Sequence, residues 1–134
     1  MVLVNVFGRE VELDDDLARL VRALDSHLRG LEVSSARTDE HATAETGRAA
    51  CRHYLVSFCI LNWLETWTDL TMLAAAVSVC EDATLVVDYD GCTNDRPDDP
   101  DLLSLYLHGT GSPEQLAGVI EGLAAEQPRH FKIG

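Results

Sequence analysis

Along the first thirty residues the apolar positions change from an alternating to a helical period. Val2–Phe7 (VLVNVF) is a β-branched run, Gly8 and Arg9 interrupt it, and Glu10–Leu13 (EVEL) alternates polar with apolar. Two short strands meeting at a glycine predict a hairpin with a type II′ turn, with Gly8 at positive φ and Val11 and Leu13 facing the core. Leu17, Leu20, Val21, Leu24, Leu28 and Leu31 then recur at the spacing of one helical face. Asp14, Asp15 and Asp16 offer an N-cap oxygen and negative charge where that helix starts, and Arg29 and Gly30 suit its end. The aspartate triplet thus has a structural explanation and is not read as a site.

Periodicity fades over Glu32–Gly47 (EVSSARTDEHATAETG). Either a strand covers Leu31–Ala36 and a mobile loop follows, or Thr38 caps a weak helix through Ala50. The small polar residues favour a loop over 32–50. Arg52–Leu61 reads as a buried strand, because Tyr54, Val56, Phe58 and Ile60 alternate along it. Asn62-Trp63-Leu64-Glu65 approximates a capping box. In the helix that follows, Trp63, Trp67, Leu70, Ala74 and Val77 share one face, and the second half (LTMLAAAVSVC) is apolar nearly all round and therefore expected to be buried.

Glu81-Asp82 closes that helix, and Thr84–Asp90 is expected to be the central strand of a sheet. Leu102–His108 (LLSLYLH) is another strand, followed by a turn at Gly109-Thr110-Gly111. Ser112-Pro113-Glu114-Gln115 is a helix start with cap, N1 proline and capping-box glutamine. Leu116, Val119, Ile120 and Leu123 form its buried stripe, and Gly118 and Gly122 would let it approach the sheet closely, each at about 1 kcal/mol relative to alanine. Pro128 is expected to stop the helix, with Arg129–Ile133 as a last edge strand. The fold class predicted is α+β: a single domain over 1–134, with a mostly antiparallel sheet packed against about three helices.

Composition is that of a globular chain, 134 residues with 46% apolar and 25% charged side chains, a length that buries roughly two-thirds of its unfolded surface. The formal net charge of −13 changes the picture more. A field of that sign repels phosphate backbones and anionic lipid, so neither nucleic acid nor membrane is expected as a partner, and basic proteins are. Cys51, Cys59, Cys80 and Cys92 contain no C-x-x-C pair, and Met1 leads into a strand-like run instead of a secretory leader. Free thiols in the cytoplasm are the expectation.

The most acidic stretch follows the Thr84 strand: between Glu81 and Asp101 eight carboxylates accompany one arginine. Asp88-Tyr89-Asp90-Gly91-Cys92-Thr93 resembles the first motif of haloacid dehalogenase-type phosphotransferases, D-x-D-G-T at the end of an apolar strand. The resemblance implies Asp88 as nucleophile, Asp90 as general acid and a magnesium ion held by both. It covers about ten residues, and Cys92 displaces the threonine by one position. Asp88, Asp90, Asn94 and Asp95 are hard oxygen ligands, but the EF-hand spacing is absent. His27, His41, His53, His108 and His130 are scattered and read as structural or surface residues. No nucleophile elbow or phosphate loop occurs, and no cofactor, metal or catalytic residue is assigned.

The functional expectation is accordingly a small acidic protein-binding or inhibitor domain of the immunity or antitoxin kind. Asp88, Asp90, Asp95, Asp98, Asp99 and Asp101 would contact a basic, nuclease-type toxin partner, with homodimerisation as a further option. The order of strand, turn and leucine-rich helix, then a helix leading to a last strand, is similar in layout to barstar-type ribonuclease inhibitors without a shared motif. The alternative is a small-molecule binder or small enzyme with a pocket between the sheet and the Trp63/Trp67 helix, in which Asp88, Asp90, Glu65 and His108 are the polar groups.

Overall fold

A computed structural model describes residues 1–40, 52–80, 82–89 and 103–130. The chain is an α+β domain whose elements run β1 (Val2–Val6), β2 (Arg9–Leu13), α1 (Asp15–His27), β3 (Leu31–Glu40), β4 (Arg52–Ile60), α2 (Trp63–Ser78), β5 (Ala83–Tyr89), β6 (Leu103–Thr110) and α3 (Pro113–His130). The strands form two antiparallel sheets, the β1–β2 hairpin and a four-stranded sheet ordered β3–β4–β6–β5. The Thr84 strand, β5, is therefore an edge strand, and the centre belongs to β4 and β6. Its exposed Thr84 and Val87 suit an edge.

The opening hairpin forms as its alternation predicts, with Val4, Val6 and Leu13 buried. Its turn differs. Phe7 and Gly8 both take positive φ, at 52° and 80°, which makes a two-residue type I′ connection, and Asn5 Oδ1 accepts the Gly8 amide. The leucine stripe of α1 is buried as read, with Leu17, Leu20, Val21 and Leu24 fully enclosed. The helix ends at His27, and Leu28, already extended, is its C-cap. Gly30 thus serves something other than a helix end.

The strand β3 continues four residues past Ala36, so 32–40 is strand and not part of a loop over 32–50, its backbone being taken up by pairing with β4. Its register shifts between Val33 and Ser35, so Ser34 is the extra residue of a β-bulge and Val33 and Ala36, three apart, both reach the buried face. Residues 41–51 lie outside the described residues. On β4, Tyr54, Val56 and Phe58 are buried, and on β6 Leu105, Leu107 and Gly109. The register pairs Val56 with Leu107 and Phe58 with Leu105, so these residues form one continuous apolar face. The helices pack on that face: α1 meets β3 and α3, and α2 meets α3, β5 and β3.

The last helix keeps Leu116, Ala117 and Ile120 buried, with Val119 and Leu123 partly so. It passes through Pro128 to His130 instead of stopping there, so residues 129 and 130 are helical and not strand. A proline so close to a helix end costs little more than one backbone hydrogen bond. Residues 131–134 lie outside the described residues. Gly118 and Gly122 do not bring α3 onto the sheet: a side chain at Gly118 would face Arg19 of α1, and one at Gly122 would meet open space. Arg19 bonds Glu114 and Glu121 on α3 at 2.9 and 3.1 Å.

Candidate functional site

Two surfaces carry chemistry, and α2 builds the first. Asn62 caps it as predicted, its Oδ1 accepting from the amides of Leu64 and Glu65. The helix then turns a different face to the core than its apolar periodicity suggests. Thr66, Asp69, Met72, Leu73 and Ala76 are buried. Asp69 is only 2% exposed and spends its carboxylate on three backbone amides at the start of β3: Oδ1 accepts from Arg29 at 3.0 Å, and Oδ2 from Gly30 at 2.6 Å and Leu31 at 2.9 Å. The Gly30 carbonyl returns the connection by accepting from the amides of Leu61 and Asn62 and from Thr66 Oγ1.

That anchoring sets the rotation of the helix. It leaves Leu64 86%, Trp67 72% and Trp63 48% exposed, with Leu61 beside them at 62%. Farther along, Thr71, Ala74, Ala75, Ser78 and Val79 are exposed too, and Glu65 is the one charged residue on the outer side of α2. The Trp63/Trp67 face therefore does not line a pocket against the sheet. Glu65 is also exposed, and His108 lies on the opposite side of the sheet from the helices, so these two of the groups expected in that pocket do not meet.

Asp88 occupies β5 opposite Ser104, next to the strand end where Tyr89 pairs with Leu103. Asp90, Asp95, Asp98, Asp99 and Asp101 lie outside the described residues. The two points from which their segment departs are nevertheless placed. The β4–β6 register carries Leu103 to the end of the sheet where β4 finishes at Ile60 and hands over to Leu61 and α2. Tyr89 and Leu103 thus lie at the end of the sheet from which α2 starts. Elsewhere, Asp14, Asp15, Asp16 and Glu114 line an open depression of about 400 Å³ with Met1.

The second surface is the sheet face that the described helices leave uncovered. His53, Leu55, Ser57 and Cys59 of β4 lie beside Tyr106 and His108 of β6, all half-buried. His53 and His108 are diagonal neighbours across the central ladder, with rings 5.1 Å apart and inclined by 25°. Nδ1 of His53 faces Nε2 of His108 at 3.1 Å. On the helix side of the same ladder, Tyr54 occupies the space that a side chain at Gly109 would need. Burial first, and then the charges of Asp82 and Cys80, push the Tyr54 phenol up to about 12.

Neither the Asp69 anchor nor the histidine pair is visible as a sequence motif. An aspartate in a helix interior carries no mark of three amides awaiting it, and the two histidines meet only because β4 pairs with β6. Among the described residues no group of three His, Cys, Asp or Glu side chains is arranged to hold a metal, and no helix is long and apolar enough to cross a membrane. Comparison with protein-family models, curated proteins and solved structures returns no match.

Proposed function

We propose that this chain is a small protein-binding domain that captures a basic protein partner on the outer face of α2. The observation that carries the reading is the exposure of Leu64, Trp67 and Trp63 side by side on a helix whose outer side bears a single charged residue. A large apolar side chain in water forgoes about 1.5–3 kcal/mol of burial free energy, and exposed aromatic clusters mark interaction surfaces. Tryptophan is among the residues enriched where truncation to alanine costs an interface about 2 kcal/mol or more.

Charge selects the partner. With a net charge of −13, approach of another acidic protein is opposed and that of a basic one accelerated. Asp88, Asp90, Asp95, Asp98, Asp99 and Asp101 are the residues we assign to steering, because the strand ends that flank their segment, Tyr89 and Leu103, lie at the end of the sheet where β4 hands over to α2. The form of this function best matched to an uncharged anchor with an acidic rim is an inhibitor of the immunity or antitoxin kind, occluding a basic nuclease-type toxin.

The reading is tested by affinity capture from native lysate with the wild-type chain and the Leu64→Asp and Trp67→Ala variants, followed by mass spectrometry. A basic protein retained by the wild type and lost by both variants is the expected result. Retention of the same proteins by all three would remove α2 as the contact face.

A further inference from the structure

We propose that His53 and His108 form a two-nitrogen chelating site for a divalent transition-metal ion of the zinc, nickel and copper class, on the sheet face opposite α2. The distance between the facing nitrogens, 3.1 Å from His53 Nδ1 to His108 Nε2, carries the inference. Two metal–imidazole bonds of about 2.0–2.1 Å, meeting at the angles of tetrahedral or octahedral coordination, hold their nitrogens about 2.9–3.4 Å apart. The pair therefore already has the bite of a chelate.

The scaffold holds that bite. Both histidines sit on the central strands of the sheet, where β4 is paired on one side with β3 and β6 on one side with β5. Ladder hydrogen bonds on both flanks fix the two backbones, so little ordering remains for the ion to impose. The rings are half-buried on a face that the described helices do not cover. Imidazole nitrogen is a borderline ligand suited to zinc, copper and nickel and a poor one for magnesium or calcium. The net charge of −13 draws cations toward the surface.

Without metal, one of the two facing nitrogens carries a proton and donates it to the other. Neutral imidazoles accommodate an ion by moving that proton to a ring's far nitrogen. Both facing lone pairs then point to the metal, with the remaining protons on His53 Nε2 and His108 Nδ1, and no net proton is released. Among the described residues no third His, Cys, Asp or Glu side chain completes a cluster with them, so the two imidazole nitrogens are the ligands assigned.

The test is titration of the untagged, reduced full chain with Cu²⁺ and Ni²⁺ by calorimetry, with electron paramagnetic resonance of the copper form. One ion per chain and hyperfine coupling to two imidazole nitrogens are expected. His53→Gln and His108→Gln should each weaken that site about tenfold or more, since even the loss of a ligand's outer hydrogen-bond partner costs 10–100-fold. Unchanged affinity in either variant, or unchanged nitrogen coupling, overturns the proposal and moves the ion to thiols or carboxylates. Should a variant lose its native circular dichroism, the folded wild type decides. Substoichiometric Cu²⁺ must then broaden the ring-proton resonances of His53 and His108 before those of the other three histidines, and uniform broadening overturns the site.

Discussion

Asp69 and Gly30 are bonded across 39 residues of sequence, with Asp69 Oδ2 accepting the Gly30 amide at 2.6 Å in a buried setting. The same carboxylate takes the amides of Arg29 and Leu31, so one side chain of α2 ends α1's exit loop and starts β3. Removing it orphans three backbone donors, and an unsatisfied buried donor costs about 1–3 kcal/mol. Asp69→Ala should therefore lower stability in urea denaturation by on the order of 4 kcal/mol. Asp69→Asn, which keeps one acceptor oxygen, should lose roughly half as much. A loss below about 1 kcal/mol in the alanine variant would show that the carboxylate is not the anchor.

Gly30 is the complementary half. Its φ is not in the left-handed region, so alanine is allowed by its backbone, and in open space the change would stabilise by about 0.4–1 kcal/mol. A Cβ there would instead overlap the backbone of Thr66 and Asn62. Gly30→Ala should destabilise by about 1–3 kcal/mol, and the sign of the shift in midpoint decides between packing and chain entropy.

On the outer face of α2 the expectation reverses. Leu64→Ala and Trp67→Ala remove side chains that are mostly in water, so stability should stay within about 0.5 kcal/mol. Partner affinity, measured by calorimetry with the captured protein, should fall by about 2 kcal/mol or more for Trp67.

Charge on the rim should govern rate. Changing Asp95, Asp98, Asp99 and Asp101 together to asparagine should slow association and flatten its dependence on ionic strength, leaving dissociation nearly unchanged. Stopped-flow mixing reads this directly, and an unaltered on-rate would remove steering from the mechanism.

Alkaline pH should find Tyr54. Its phenol is pushed from an ordinary 10.0 to about 12 in the fold. A raised value means stability that is complete below pH 10 and lost as pH climbs toward 12, because the unfolded chain ionises first. The loss approaches about 2–3 kcal/mol. Tyr54→Phe removes the ionisation, so the stability difference between wild type and variant should shift against the wild type by that amount between pH 9 and pH 12. A parallel pair of curves would place the alkaline transition elsewhere.

The elements that could be read from sequence are those in which one apolar stripe has no rival. The leucines of α1 have none, and the alternation of Tyr54, Val56 and Phe58 has none. In α2 two stripes compete. Trp63, Trp67, Leu70, Ala74 and Val77 are the more apolar, while the stripe that is buried contains Thr66 and Asp69. Hydrophobicity prefers the first because it does not count the three amides that Asp69 satisfies. In β3 the bulge at Ser34 breaks the alternation, so Val33 and Ala36 do not look like neighbours on one face. Edge or centre for β5, and contact between His53 and His108, depend on strand order, which no local pattern records. The acidic residues singled out from composition beyond Asp88 lie outside the described residues.

The chain's two tryptophans are both on that face, and the core contains no indole. Intrinsic fluorescence is therefore chiefly a reporter of docking on that face. Emission from the free chain should already be red-shifted and easily quenched by iodide or acrylamide. Global unfolding should change the Trp67 contribution little, since that side chain is already 72% exposed, and a partner covering α2 should move the emission to the blue.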